Sequence, residues 1–273
     1  MENILDISIL QMALAFIYAV AVILIVRMVG IPREMQIIVS SLRMTVQLVV
    51  AGYVLMYLFE TDSAWFNLLV LVGMETFAVY NAIQRANMVL SPAIKRIIIY
   101  ALPAGTLVSL AFFLLVVVGG ESWQDPRYVI PLAGMIIGNA MTGITLGTTR
   151  LVDGIRTQRA SIETALMLGA SPQMATRHIV RNAFDASILP TINSMVGMGI
   201  VILPGMMTGQ ILSGTSPLIA IKYQIAIMLA IMGSVSFSVL ILVDRGYRTF
   251  FNNDAQLIDP NVDLPPGVVE KHS

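Results

Sequence analysis

Long apolar stretches broken by short charged connections dominate the chain. They show neither the two-residue alternation of half-buried strands nor the polar stripe of a helix on a soluble protein. Seven such stretches stand out, at roughly residues 7–26, 37–59, 65–83, 97–118, 128–149, 187–212 and 217–243. Each approaches or exceeds the ~20 residues that a helix needs to cross a bilayer. The pattern predicts an all-α, polytopic integral membrane protein with about seven transmembrane helices. It divides the chain into a five-span part (1–149), a connection (150–186), a two-span part (187–243) and a polar tail (244–273), of which 252–273 reads as loose. Met1-Glu2-Asn3-Ile4-Leu5-Asp6 lacks the positive start of a signal peptide, so the first span reads as a retained anchor.

Charge gives the spans a direction. The connections after spans one, three and five, with the C-terminal tail, hold Arg27, Arg33, Arg85, Lys95, Arg96, Arg150, Arg156, Arg159, Arg177, Arg181, Arg245, Arg248 and Lys271. The opposite side holds Glu2, Asp6, Glu60, Asp62, Glu121 and Asp125, with Arg127 as its one clear base. The positive-inside rule therefore predicts the N-terminus outside and the C-terminus in the cytoplasm. Residues are 57% hydrophobic and 12% charged, about half the charge of a typical soluble domain. A formal net charge of zero excludes a nucleic-acid-binding footprint. The absence of cysteine removes disulfides, thiolate metal sites and cysteine nucleophiles, and two histidines, His178 and His272, are too few for the usual zinc clusters.

The connection 150–186 is amphipathic. Glu163 to Leu168 favours helix, Gly169 suits a left-handed helix end, and Ser171-Pro172 suits an N-cap followed by the first position of a new helix. A short helix on a tight turn beneath the membrane is shaped to enter a groove on a soluble partner. The plainer alternative is a helical loop lying on the membrane surface.

The spacing Glu163-x-Ala165-x-x-x-Gly169 resembles the EAA signature of ABC-transporter permeases, whose short coupling helix docks on the ATPase subunit. Downstream, Ile179 matches that signature, whereas Arg181 and Asn182 stand where Leu and Pro would be. Pro190-Thr-Ile-Asn-Ser-Met195, Leu203-Pro-Gly-Met-Met-Thr-Gly-Gln-Ile-Leu-Ser-Gly-Thr-Ser-Pro217, Tyr223-Gln-Ile-Ala-Ile-Met228, Arg43-x-x-x-Gln47-Leu48 and Gly138-Asn139-Ala140-Met141 resemble the FetB-type permease family along nearly the whole chain. That resemblance implies a permease of the bacterial inner membrane exporting iron or a related metal cation. Relatives are linked to metal and oxidative-stress resistance and, in plants, to aluminium tolerance. It implies ATPase coupling through Glu163, Ala165, Gly169, Ala170 and Ser171. It also implies two copies of the chain with two ABC ATPase subunits, which would carry the ATP and Mg; this chain binds no cofactor of its own.

A phosphate-binding loop needs Gly-Lys followed by Ser or Thr, yet Lys95, Lys222 and Lys271 follow Ile94, Ile221 and Glu270. The chain is therefore expected to be a transport subunit rather than an enzyme. Polar groups within spans mark candidate pathway positions. Arg43 and Gln47 share one face of span two, Glu75 lies in span three, Asn139 and Thr142 in span five and Asn193 in span six. Counting ~1.5 Å per residue places Arg43, Gln47, Glu75, Asn139 and Asn193 at similar depth, about 9–16 Å from the cytoplasmic side.

Glu75 is the deep acid and the candidate metal ligand, since a hard cation prefers oxygen. Arg43 and Glu75 neutralising each other, and asparagines acting as packing partners, are the structural alternatives. Met206, Met207 and Gln210 join the candidates because they flank Pro204 and Gly205 in a span that proline and glycine interrupt; most other methionines read as filler. Gly134-x-x-x-Gly138, Gly143-x-x-x-Gly147 and Gly205-x-x-x-Gly209 have the form of close helix-packing motifs and suggest a dimer contact. Two alternatives remain for cargo and energy: an ABC permease for an organic or lipid-like solute, and a proton-coupled carrier acting through Glu75.

Overall fold

The computed structural model describes residues 7–60, 64–86, 90–119 and 125–258. Glu2, Asp6, Asp62, Glu121, Lys271 and the tail beyond residue 258, all used in the charge reading, lie outside the described residues. The chain is an all-α polytopic membrane protein, and among the described residues no helix-free segment is long enough to form another domain. It divides into two units, residues 1–63 and 64–273.

The first unit consists of α1 (Ile9–Val29) and α2 (Glu34–Glu60). Ser8 caps α1 with a reciprocal box: Gln11 N–H donates to Ser8 Oγ at 3.3 Å, and Ser8 N–H donates to Gln11 Oε1 at 2.9 Å. Gly30 ends the helix in the left-handed region, at φ 77°, and Pro32 follows where the helix cannot continue. No residue of α1 is buried, and its surface is apolar all round, as a lipid-facing span requires.

The second unit contains α3 (Ala64–Arg85), α4 (Pro92–Phe112), α5 (Pro126–Thr157), α6 (Arg159–Met167), α7 (Pro172–Gly197), α8 (Gly205–Leu212) and α9 (Pro217–Gly246). A π-helical turn, Phe113–Val117, extends α4, and a 3₁₀ turn, Tyr247–Phe250, follows α9. The core lies where α4, α5, α7 and α9 meet, around Ile98, Leu102, Ile136, Ile144, Leu151, Val235 and Leu242. Glycines let the backbones close: a Cβ on Gly105 would stand 2.6 Å from the Ser238 nitrogen, and one on Gly154 would stand 2.6 Å from Ile179 Cγ2. Ser238 Oγ also donates to the Leu102 carbonyl at 3.4 Å, joining α9 to α4.

The same contacts fix the directions. Gly143 meets Val235, Gly147 meets Val239 and Leu242, and Gly246 meets Leu151, so α5 and α9 run parallel. Gly154 meets Ile179 and Gly147 meets Ser187, so α7 runs antiparallel to both. Gly143 and Gly147 therefore serve packing within one chain, against α7 and α9, rather than the contact between copies that their spacing suggested.

Among the described residues, six helices are long and apolar enough to cross a membrane. The remaining predicted span, the sixth at 187–212, is two helices. α7 begins well before it, at Pro172, and ends at Gly197; residues 198–204 form a turn; α8 completes the passage. Because α9 then runs parallel to α5, the α7–turn–α8 segment crosses the bundle. Hydropathy placed the span edges at 149 and 187, but helical hydrogen bonding runs through both positions, since charge marks the membrane boundary and not the end of a helix. The first seven residues of the tail expected to be loose are tightly turned: Asn252 Oδ1 accepts from the nitrogens of Asp254 at 3.0 Å and Gln256 at 2.8 Å, and Ile258 N–H donates to the Phe250 carbonyl at 2.8 Å.

Candidate functional site

The turn between α6 and α7 follows from its residues one by one. α6 ends as Gly169 N–H donates to the Leu166 carbonyl at 2.9 Å and Ala170 N–H to the Ala165 carbonyl at 3.0 Å. This is a Schellman closure, and it places Gly169 at φ 89°, where a Cβ is disfavoured. The Ala165-x-x-x-Gly169 spacing thus corresponds to the two ends of a helix stop. Ser171 then caps α7, its Oγ accepting from Met174 N–H at 3.3 Å, and Pro172 takes the first helical position.

Ile162 is fully buried and Leu166 packs against the core, so α6 is anchored on one face. Its outer end is apolar and bare: Met167 is 85% exposed and Leu168 84%. Arg159 Nε donates to Glu163 Oε1 at 2.8 Å along the side of α6, stiffening the short helix. Arg156, Arg177, His178 and Arg181 are exposed around it. A rigid, positively rimmed knob with an apolar tip results, at the end of the bundle where α5 finishes and α7 starts.

Glu75 occupies a different place. It lines a crevice of about 640 Å³ on the α3–α4 face, otherwise walled mainly by aliphatic side chains such as Leu71, Val79, Ile99, Leu107 and Ile137. Thr106 Oγ donates to Glu75 Oε1, with the Leu102 carbonyl at 3.0 Å and the Pro103 carbonyl at 3.2 Å as its alternative acceptors. Glu75 Oε2 is buried with no hydrogen-bond partner among the described residues. A half-satisfied carboxylate in an apolar wall is costly to hold, and a cation or proton arriving there relieves the cost. Among the described residues no three His, Asp or Glu side chains gather as a metal cage, and Glu75 is the one acid among the residues lining its crevice.

Asn139 and Asn193 are exposed on α5 and α7. Carrying the antiparallel register on from Gly154/Ile179 and Gly147/Ser187 brings Asn139 level with Asn193 and Ser194, the common depth expected from the sequence. Asn139 Nδ2 bonds back to the Met135 carbonyl at 2.8 Å, and Thr142 Oγ1 to the Gly138 carbonyl at 3.1 Å. Neither asparagine lines the Glu75 crevice. Arg43 and Gln47 are exposed one turn apart on α2, in the first unit.

Met206 and Met207 are half-buried on α8, and Gln210 Oε1 is buried there without a partner among the described residues. Met207 lines a further cavity at the α7–α9 contact, together with Met195, Met198, Met228 and Gln224. Within the second unit the candidates thus fall into three places rather than one. Sequence reasoning missed Thr106 and Gln224. Both are polar residues within predicted spans four and seven, and counting their depth as for Glu75 would have marked them.

A family model described as Uncharacterised protein family (UPF0014) matches residues 9–251. The UPF0014 membrane protein slr1647 of Synechocystis is 38% identical over 241 residues, covering 87% of this chain and 92% of that protein. The probable iron export permease protein FetB of Escherichia coli is 35% identical over 248 residues, covering 91% and 94%. The protein ALUMINUM SENSITIVE 3 of Arabidopsis thaliana is 38% identical over 224 residues, covering 82% and 80%. No solved structure matches the chain. With the family model spanning nearly every described helix and such relatives aligned almost end to end, the chain belongs to the UPF0014 family of membrane proteins.

Proposed function

We propose that this membrane permease is the transmembrane subunit of an ABC transporter that exports a metal cation, iron first among them, using ATP hydrolysed by a separate subunit. The observation that carries the reading is the α6 knob, anchored by Ile162, angled by Gly169 and tipped with bare Met167 and Leu168. Two adjacent apolar side chains so exposed beyond the membrane spans cost free energy until a partner covers them. A cleft on an ATPase is the occupant that also converts a push on α6 into movement of α5 and α7. Two copies of the chain would present two knobs to two ATPases, with the N-terminus outside, the C-terminus in the cytoplasm and the assembly in the bacterial inner membrane.

Cargo chemistry rests on Glu75, whose free oxygen offers a hard ligand, and on the names of the Escherichia coli and Arabidopsis relatives. Exposed Asn139, Thr142 and Asn193 would face a second copy or a polar path between copies rather than lipid. One observation favours an organic or lipid-like cargo instead: the aliphatic walls of the Glu75 crevice suit an apolar body bearing one positive charge. The docking reading is tested by co-purification with the cognate ATPase. Leu168→Asp is expected to abolish it while the solubilised chain keeps its thermal unfolding profile; undiminished co-purification would contradict the reading.

A further inference from the structure

Near the junction of α7, α8 and α9, remote in sequence from Glu75, lies a cavity bordered by four methionines. Met195 and Met198 at the end of α7, Met207 on α8 and Met228 on α9 line one cavity of about 410 Å³. Apart from main chain, its polar group is the amide of Gln224, only 5% exposed. Gln224 Nε2 lies 3.8 Å from Met198 Sδ, so the amide is held against a thioether. Its Oε1 is buried and has no hydrogen-bond partner among the described residues.

We propose that this cavity is a binding site for a soft monovalent metal cation of the Cu(I) or Ag(I) class, held by Met195, Met198, Met207 and Met228 with the Gln224 carbonyl oxygen. Two properties fit that ligand. Neutral thioethers are soft donors, which select such ions over Mg²⁺, Ca²⁺ or Fe³⁺. The orphaned Gln224 oxygen costs free energy until something electropositive reaches it.

A methionine that only fills space closes a gap, whereas these four border an open one beside an unsatisfied amide. The glycine-permitted turn after α7 places Met198 at the rim. Gly199 sits at φ 81°, its N–H donating to the Ile202 carbonyl at 3.0 Å, while Val201 and Ile202 both donate to the Gly197 carbonyl at 3.0 Å. The main chain of the turn is thus tied to itself, leaving the side chain of Met198 to the cavity. The inference does not depend on ATPase coupling or on iron as cargo.

The test titrates Ag(I), which needs no reductant, into the detergent-solubilised full-length chain. An excess of free methionine competes away binding by single surface thioethers. One competitor-resistant equivalent is expected, with sulfur neighbours in its X-ray absorption spectrum. The double variant Met198→Leu/Met207→Leu, close in volume to the wild type, is expected to lose at least about tenfold in affinity, or ~1.4 kcal/mol. Met174→Leu, exposed at the far end of α7, is expected to bind as the wild type does.

Gln224→Leu is expected to weaken binding without changing the stoichiometry. The absence of a competitor-resistant equivalent in the wild-type chain would overturn the proposal whether or not any variant folds. So would full retention of that equivalent in the double variant.

Discussion

Substituting Gly169 separates backbone geometry from side-chain bulk at the α6–α7 turn. Its φ of 89° lies where an L side chain is strained, yet a Cβ built there meets nothing within 4 Å. Gly169→Ala therefore introduces no clash within the chain and acts through conformation alone. The left-handed conformation costs a non-glycine residue roughly 1–2 kcal/mol. If the ATPase binds only the turned form, that penalty becomes a population penalty, and apparent affinity falls about 5- to 30-fold. Asparagine adopts the left-handed region more readily than alanine, so Gly169→Asn should lose clearly less despite its larger side chain.

The assay is equilibrium binding of the solubilised chain to the purified ATPase subunit, with thermal unfolding of the membrane bundle measured in parallel. The expected order of affinity is wild type, then Asn, then Ala, with unfolding unchanged across the series. Alanine binding as tightly as glycine would refute the reasoning. Asparagine failing more severely than alanine would replace it with a steric account of the partner's surface.

Other outcomes follow from the same geometry. Gly105→Ala puts a Cβ 2.6 Å from the Ser238 nitrogen and should destabilise the α4–α9 contact by about 1–3 kcal/mol, lowering the unfolding temperature in detergent. Because the chain has no native cysteine, single substitutions report accessibility directly. Asn139→Cys and Asn193→Cys should react with a membrane-impermeant thiol reagent applied to the appropriate side, while Ile17→Cys in the middle of the lipid-facing α1 should not. Equal protection of all three would remove the polar path. Glu75→Gln should abolish metal tolerance at unchanged membrane abundance, and Thr106→Val, which removes its one hydrogen-bond donor, should weaken tolerance less; full tolerance in Glu75→Gln would take the cargo site away from the α3–α4 crevice.

Local signals were the legible ones. Glu163 to Pro172 read as helix, stop, cap and helix because each step depends on near neighbours, and the turn formed as those residues dictate. Span count was harder, since α7 enters the bundle from outside the apolar stretch and carries Arg177 and Arg181 on the same helix as Thr191. A hydropathy window averages those two halves. The glycine spacing at 143 and 147 announced a close approach but not its partner, which proved to be α7 and α9 of the same chain.

Equal depth did bring Asn139 level with Asn193. Depth alone says nothing of azimuth, and so the shared level concealed that Glu75 faces a separate crevice with Thr106. The methionine cavity was the least legible feature. It joins the end of α7 to α8 and to α9, and no spacing rule links Met198 to Gln224 or Met228.

The most direct measurement reconstitutes the chain with its cognate ATPase in inside-out vesicles and follows iron when ATP is supplied outside. In that orientation an exporter pumps inward. The account predicts ATP-dependent iron accumulation that is lost when Leu168→Asp breaks docking. Iron accumulation that proceeds without the ATPase, or ATP hydrolysis by the complex with no iron moved, would contradict it.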